Sequence, residues 1–63
     1  MPITNRADIY PGLKVAVTLK EDQGTDILTE GVVADILTNS SNHPRGIKVR
    51  LVSGEVGRAQ EIR

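Results

Sequence analysis

The stretch Asn39, Ser40, Ser41, Asn42, His43, Pro44 and Arg45 gathers amide, hydroxyl, imidazole and guanidinium groups within seven residues. Together they offer donors and acceptors suited to a phosphate, a sugar or a base edge. The same residues also build turns, because Asn and Ser side chains bond to their own backbone and His43-Pro44 restricts the path of the chain. Both readings stand at the level of sequence. Just beyond the loop, Lys48 and Arg50 lie two residues apart and so share one face of a strand. Arg58 on a later segment and Arg45 in the loop extend them into a basic strip, a plausible footprint for nucleic acid. The candidate contact residues, for nucleic acid or another partner, are therefore Asn39, His43, Arg45, Lys48, Arg50 and Arg58.

Other chemistries find less support. A nucleophilic set would recruit Ser40 or Ser41 with His43 and Asp35, but no nucleophile-elbow glycines surround the serines and no second region offers an oxyanion hole. The chain has no cysteine and one histidine. A metal site would have to combine His43 with Asp35 or Glu30, a poor composition for structural zinc. Gly24 and Gly54 are isolated, so no phosphate-cradling glycine loop is present. No catalysis, metal or cofactor is expected. Tyr10 is the sole aromatic residue, whereas single-strand binders stack bases on several rings. Any nucleic acid should then be held by its backbone and shape.

Basic and acidic residues balance at eight each, but unevenly along the chain. Up to Thr38 there are three basic against six acidic residues, and from Asn39 onward five against two. A basic C-terminal half can attract anionic partners despite overall neutrality, since a ligand responds to the local field. Solvated strand faces are the plainer explanation of the same charges. The opening MPITNRADIYPG has no apolar leader, and no apolar run is long enough to span a bilayer, so a cytoplasmic protein without membrane contact is expected.

The elements that must position these groups follow from periodicity. Sixty-three residues suit one domain, 1–63, with residues 1–8 expected to fray. Its apolar inventory is Ile9, Leu13, Val15, Val17, Leu19, Val32, Ala34, Ile36, Ile47, Val49, Leu51, Val56 and Ile62. Residues 13–20, after the Pro11-Gly12 turn, alternate with period two and place Leu13, Val15, Val17 and Leu19 on one face of a strand. Residues 21–26 form a polar loop around Gly24. Residues 28–37 read as a second strand, with Val32, Ala34 and Ile36 on one face, Val33 and Leu37 on the other, and Gly31 marking a bend or bulge. A short helix over 30–37 competes with this reading, weakened by β-branched Val32, Val33 and Ile36. Residues 38–46 form a loop, and Ile47, Val49 and Leu51 alternate cleanly after it. Residues 52–55 then form a tight hairpin into a last strand over 55–59. A two-residue turn would set Leu51 opposite Val56 and Arg50 opposite Gly57.

Four or five short strands without a long helical pattern predict an all-β fold, a small closed barrel or a strongly bent antiparallel sheet. The order of proline-glycine, apolar alternation, Gly-Val-Val, apolar alternation and Gly-x-Val-Gly resembles the SH3-like and KOW-like barrels used by translation and transcription proteins. That likeness concerns fold and carries no function by itself.

The segments NRADIYPGLKV over 5–15, ILTNSSNHPRGIKVRL over 36–51 and VGRAQEI over 56–62 resemble the YwbE family of short uncharacterised prokaryotic proteins. Asp26-Ile27 departs from that pattern, where glycine or lysine before leucine is usual, and so does Ala59, where valine is usual. These departures bear on the Gly24 loop and on packing at the end of the last strand. The resemblance implies no established activity. From the residues, the leading expectation is a non-enzymatic module contacting structured RNA or a ribonucleoprotein assembly through the basic strip and its polar loop. The alternative is a protein-interaction or self-association domain, in which the acidic half of one copy or partner meets the basic half of another.

Overall fold

The computed structural model describes residues 2–19 and 27–63, so Lys20 and the expected loop around Gly24 lie outside the described residues. Four strands are present: β1 Lys14–Leu19, β2 Thr29–Ile36, β3 Lys48–Leu51 and β4 Val56–Ile62. Each pairs antiparallel with two others, and the ring β1-β2-β3-β4 closes into a barrel. The fold is all-β and compatible with a small SH3-like barrel. Its one helical piece among the described residues is a single 3-10 turn, Arg6–Asp8, capped by Asn5, whose side chain accepts a hydrogen bond from the Ala7 amide at 3.0 Å. No helix among the described residues is long and apolar enough to cross a membrane.

The clean alternations behave as strand chemistry requires. Val15 and Val17 of β1, Val49 and Leu51 of β3, and Ile47 just before β3 are buried in one shared interior. Each such side chain withdrawn from water contributes roughly 1.5–3 kcal/mol. Ile9, Val33 and Ala59 complete the core, and Leu13, Leu19, Ile36 and Ile3 pack around it. Of the expected inventory, Val32 and Ile62 are instead exposed.

β2 departs from the face pattern expected for it. Its pairing with β3 slips between Val33 and Asp35, so two steps along β2 match one step along β3. The bulge sits at Ala34, not at Gly31, and it inverts the parity of the strand. Val33 faces the core before the bulge and Ile36 packs against the core after it, while Val32 faces out. Gly31 marks a close approach: a Cβ there would lie 2.6 Å from Leu51 Cδ1.

The β3–β4 hairpin is also one residue longer in its loop than expected. Arg50 is opposite Val56 and Val49 is opposite Gly57. The loop is Val52, Ser53 and Gly54, closed by the Leu51 amide donating to the Glu55 carbonyl at 2.8 Å and by the Gly54 amide donating to the Leu51 carbonyl at 2.9 Å. Gly54 takes φ +96°, the left-handed position that three-residue hairpin loops reserve for glycine. Gly57 therefore leaves no space beside Arg50. A Cβ there would lie 2.7 Å from the Thr18 carbonyl oxygen and 2.9 Å from Val17 Cγ2, so its bare backbone is what lets β1 lie against β4.

The N-terminal segment, expected to fray, is strapped across the barrel. The Ile3 amide donates to the Ala59 carbonyl at 3.0 Å and the Ile47 amide to the Ile3 carbonyl at 2.9 Å. Further along, the His43 amide donates to the Thr4 carbonyl at 2.9 Å and the Arg6 amide to the Ser41 carbonyl at 2.8 Å.

A Gly57→Ala substitution tests the register directly. Forcing a methyl against the Thr18 backbone should cost about 1–3 kcal/mol, and at ~4–8 °C per kcal/mol for a domain this small the loss is visible as a lower Tm by circular dichroism. An unchanged Tm would mean that Gly57 does not face β1.

Candidate functional site

The hairpin register sets the geometry of the basic strip. Lys48 and Arg50 project outward from β3, and Lys48 is directly opposite Arg58 on β4. Residues so paired have Cβ atoms only ~4.5–5.5 Å apart, and like charges there destabilise a sheet. On its other side Arg58 neighbours Thr18 of β1, which is uncharged. Arg58 is half-buried, and its Nη1 donates to the Gly46 carbonyl at 3.3 Å. Lys48 is exposed. Among the described residues no carboxylate forms a salt bridge with either.

Arg50 is different. Its guanidinium is ion-paired with Asp35 of β2, the residue set opposite it by the bulge. Of the four cations that sequence spacing groups together, Arg50 is thus ion-paired, while Arg45, Lys48 and Arg58 have no carboxylate partner among the described residues. Arg45 is exposed at the end of the polar loop. A second bulge, at Gln60 of β4 where the pairing with β1 slips, turns that side chain toward the loop, and its amide donates to the carbonyls of Arg45 and Arg58, both at 3.4 Å.

The strip and the polar loop are joined at Thr38. Its hydroxyl oxygen accepts from the Lys48 amide at 2.7 Å, and its carbonyl accepts from Arg6 Nε at 2.9 Å. Arg6 therefore belongs to the same corner of the molecule. Sequence reasoning missed it, counting it with the acidic half and with the fraying end. The readable signal was Asn5, a good N-cap type just before a polar turn, which argued for local order there.

Beside this corner lies an open groove lined by Thr4, Asn5, Ser41, Asn42, His43 and Pro44. An isolated bridge between Asn5 and Asn42 joins its two walls. His43 is half-buried, and its Nδ1 accepts the Arg45 amide at 3.2 Å. An accepting Nδ1 places the ring proton on Nε2, which is left as a donor. Asn39 is exposed outside this lining, and no hydrogen bond engages its side chain among the described residues. Of the three loop residues singled out from sequence, the structure brings His43 into the groove and leaves Asn39 and Arg45 exposed outside its lining.

The ring keeps β1 beside β2 and β3 beside β4, but ion pairs cross between the two halves of the chain, Arg50 with Asp35 and Arg63 with Glu30. Glu30 is answered by Lys14 at 4.0 Å and Arg63 at 3.2 Å, and Glu61 by Arg63 at 2.8 Å. No group of three or more His, Cys, Asp or Glu side chains placed to hold a metal occurs among the described residues.

Removing the Thr38 hydroxyl should loosen the strip from the loop. Thr38→Val is expected to lower stability by about 0.5–1.5 kcal/mol, the usual net worth of one hydrogen bond. It should also speed hydrogen exchange at the Lys48 amide selectively. Unchanged exchange at that amide would dissociate Thr38 from the placement of Lys48.

Comparison with known proteins identifies the relatives. The family model described as "Uncharacterized conserved protein (DUF2196)" matches residues 2–62. The "Uncharacterized protein YwbE" of Bacillus subtilis (strain 168) is 56% identical over 57 residues, covering 90% of this chain and 88% of that protein. No solved structure matches.

Proposed function

We propose that this chain, which belongs to the DUF2196 family of uncharacterized conserved proteins, is a non-enzymatic module that binds structured RNA, free or within a ribonucleoprotein. Arg45, Lys48 and Arg58 contact phosphates, with Arg6 at the same corner. The observation that carries this reading is the Lys48–Arg58 pair. Elsewhere this barrel answers its strand charges, as in Arg50 with Asp35 and Lys14 with Glu30. Here two cations oppose each other with no carboxylate paired to them among the described residues, an arrangement that weakens the sheet. A phosphate supplies the missing counter-charge, and release of its condensed counterions favours binding.

Further features agree. Tyr10, the sole aromatic, offers no platform for successive bases, so recognition falls to phosphates and to the 2′-hydroxyls of a shallow RNA minor groove, which the exposed side chains of Asn39 and Ser40, outside the groove lining, can bond. His43 Nδ1 accepts the Arg45 amide rather than a serine hydroxyl, which favours the non-enzymatic reading. A cytoplasmic location belongs to the same proposal. A protein-interaction role is the second reading, favoured by Val52 and Val32, exposed at 70% and 37% and linked by a backbone hydrogen bond of 2.8 Å.

Titration with a structured RNA at several salt concentrations tests the proposal. Three phosphate contacts give a log–log slope of roughly −2 to −3. Lys48→Gln should flatten it by about one unit, and Arg50→Gln should change it less because Asp35 already occupies that charge. No binding at low salt, or an unchanged slope for Lys48→Gln, would discard the RNA reading in favour of protein interaction.

The same pair makes a prediction about stability. Lys48→Glu replaces a like pair by an opposite one and should stabilise the barrel by about 0.2–1 kcal/mol at low salt while abolishing RNA binding. A destabilised Lys48→Glu variant would show that Lys48 is already compensated.

A further inference from the structure

From the groove beside the strip we infer a site for a single unpaired nucleotide of RNA, an inference that rests on the RNA-binding reading and specifies its ligand. The walls are set by main-chain bonds, from the Arg6 amide to the Ser41 carbonyl and from the His43 amide to the Thr4 carbonyl. Positioning the groove therefore leaves side chains of its lining uncommitted, apart from Asn5 Oδ1, which accepts from the Ala7 amide, and His43 Nδ1, which accepts from the Arg45 amide. The hydroxyls of Thr4 and Ser41 and the amide of Asn42 have no hydrogen-bond partner among the described residues, and His43 keeps Nε2–H as a donor. Pro44 adds a flat apolar surface.

The lining is neutral. No Lys, Arg, Asp or Glu is among the groove residues, so it is a poor seat for a phosphate by itself and a suitable one for an uncharged planar group with donors and acceptors on its edge. Yet each wall continues directly into a cation: Arg6 follows Asn5 on one, and Arg45 follows Pro44 on the other. A hydrogen-bonding slot whose two walls each run on into an arginine suits one nucleoside with its phosphates outside the slot. A base can enter such a slot only if it is unstacked, which in structured RNA means a bulge, a loop or an end. The strip would hold the stem while the groove reads the nucleotide that leaves it.

The test compares one RNA hairpin with a fully paired stem against the same hairpin carrying a single-nucleotide bulge, each of the four bases in turn, at one low salt concentration. Wild type is expected to bind at least one bulged hairpin about tenfold more tightly than the paired one, the worth of one or two base-edge hydrogen bonds. Asn42→Ala should remove that preference and leave affinity for the paired stem unchanged, because its backbone bridge to Asn5 is retained. Lys48→Gln should weaken both RNAs alike and keep the preference. Equal affinity of wild type for paired and bulged hairpins overturns the nucleotide site while RNA binding stands. A preference that survives Asn42→Ala overturns it too, since the discrimination then arises outside the groove. Failure of wild type to bind any of these RNAs removes both readings together.

Discussion

Four strands of four to eight residues can form a ring only where the first and last approach closely, and Gly57 makes that approach possible. Its missing side chain admits the Thr18 carbonyl and the Val17 methyl, bringing β1 and β4 into pairing distance. Gly31 of β2 makes room for the Leu51 side chain of the neighbouring β3. Closure removes exposed sheet edges, which a small barrel would otherwise offer to other chains. It also gives the aliphatic faces of β1 and β3 a common interior. The two bulges, at Ala34 and Gln60, supply the local twist that so few strands need to curl.

The surface inherits its charge arrangement from that closure. Gly57 can face β1 only if the hairpin loop has three residues, and that loop length sets Lys48 against Arg58. The bulge at Ala34 carries Asp35 to Arg50, while Glu30 and Glu61 are drawn toward Arg63. Positive charge without a carboxylate partner among the described residues is thereby concentrated where β3 and β4 meet the polar loop. In the proposed account this is a stability–function compromise of ordinary size: a few tenths of a kcal/mol of repulsion retained in the free protein and relieved by an anionic ligand.

Much of the barrel was legible in the sequence because period-two alternation survives wherever a strand pairs regularly. Residues 13–19 and 47–51 show this, and the basic face carried by Lys48 and Arg50 follows from it. β2 was misread because a bulge changes parity without changing composition, so Val32 and Val33 exchange sides. The sequence Val52-Ser53-Gly54-Glu55 accommodates a two- or a three-residue loop, and only the need for Gly57 at β1 decides between them. That need is long-range and leaves no local mark. The strap formed by residues 3–6 was hidden for the same reason: Ile3, Thr4 and Arg6 are held through backbone bonds to Ala59, Ile47, His43 and Ser41. The polar loop could be recognised as chemically rich, but one wall of its groove comes from the opposite end of the chain.

The central claim is that anion recognition resides where Lys48 and Arg58 meet the polar loop, and amide chemical-shift mapping by NMR during titration with a bulged RNA hairpin addresses it most directly. The account predicts that the largest shifts fall on Arg6, on residues 41–50 and on Arg58, with little change around Lys14, Glu30 and Arg63. Shifts concentrated on the Lys14–Glu30–Arg63 face or around Val32 and Val52, or none at low salt, would contradict it.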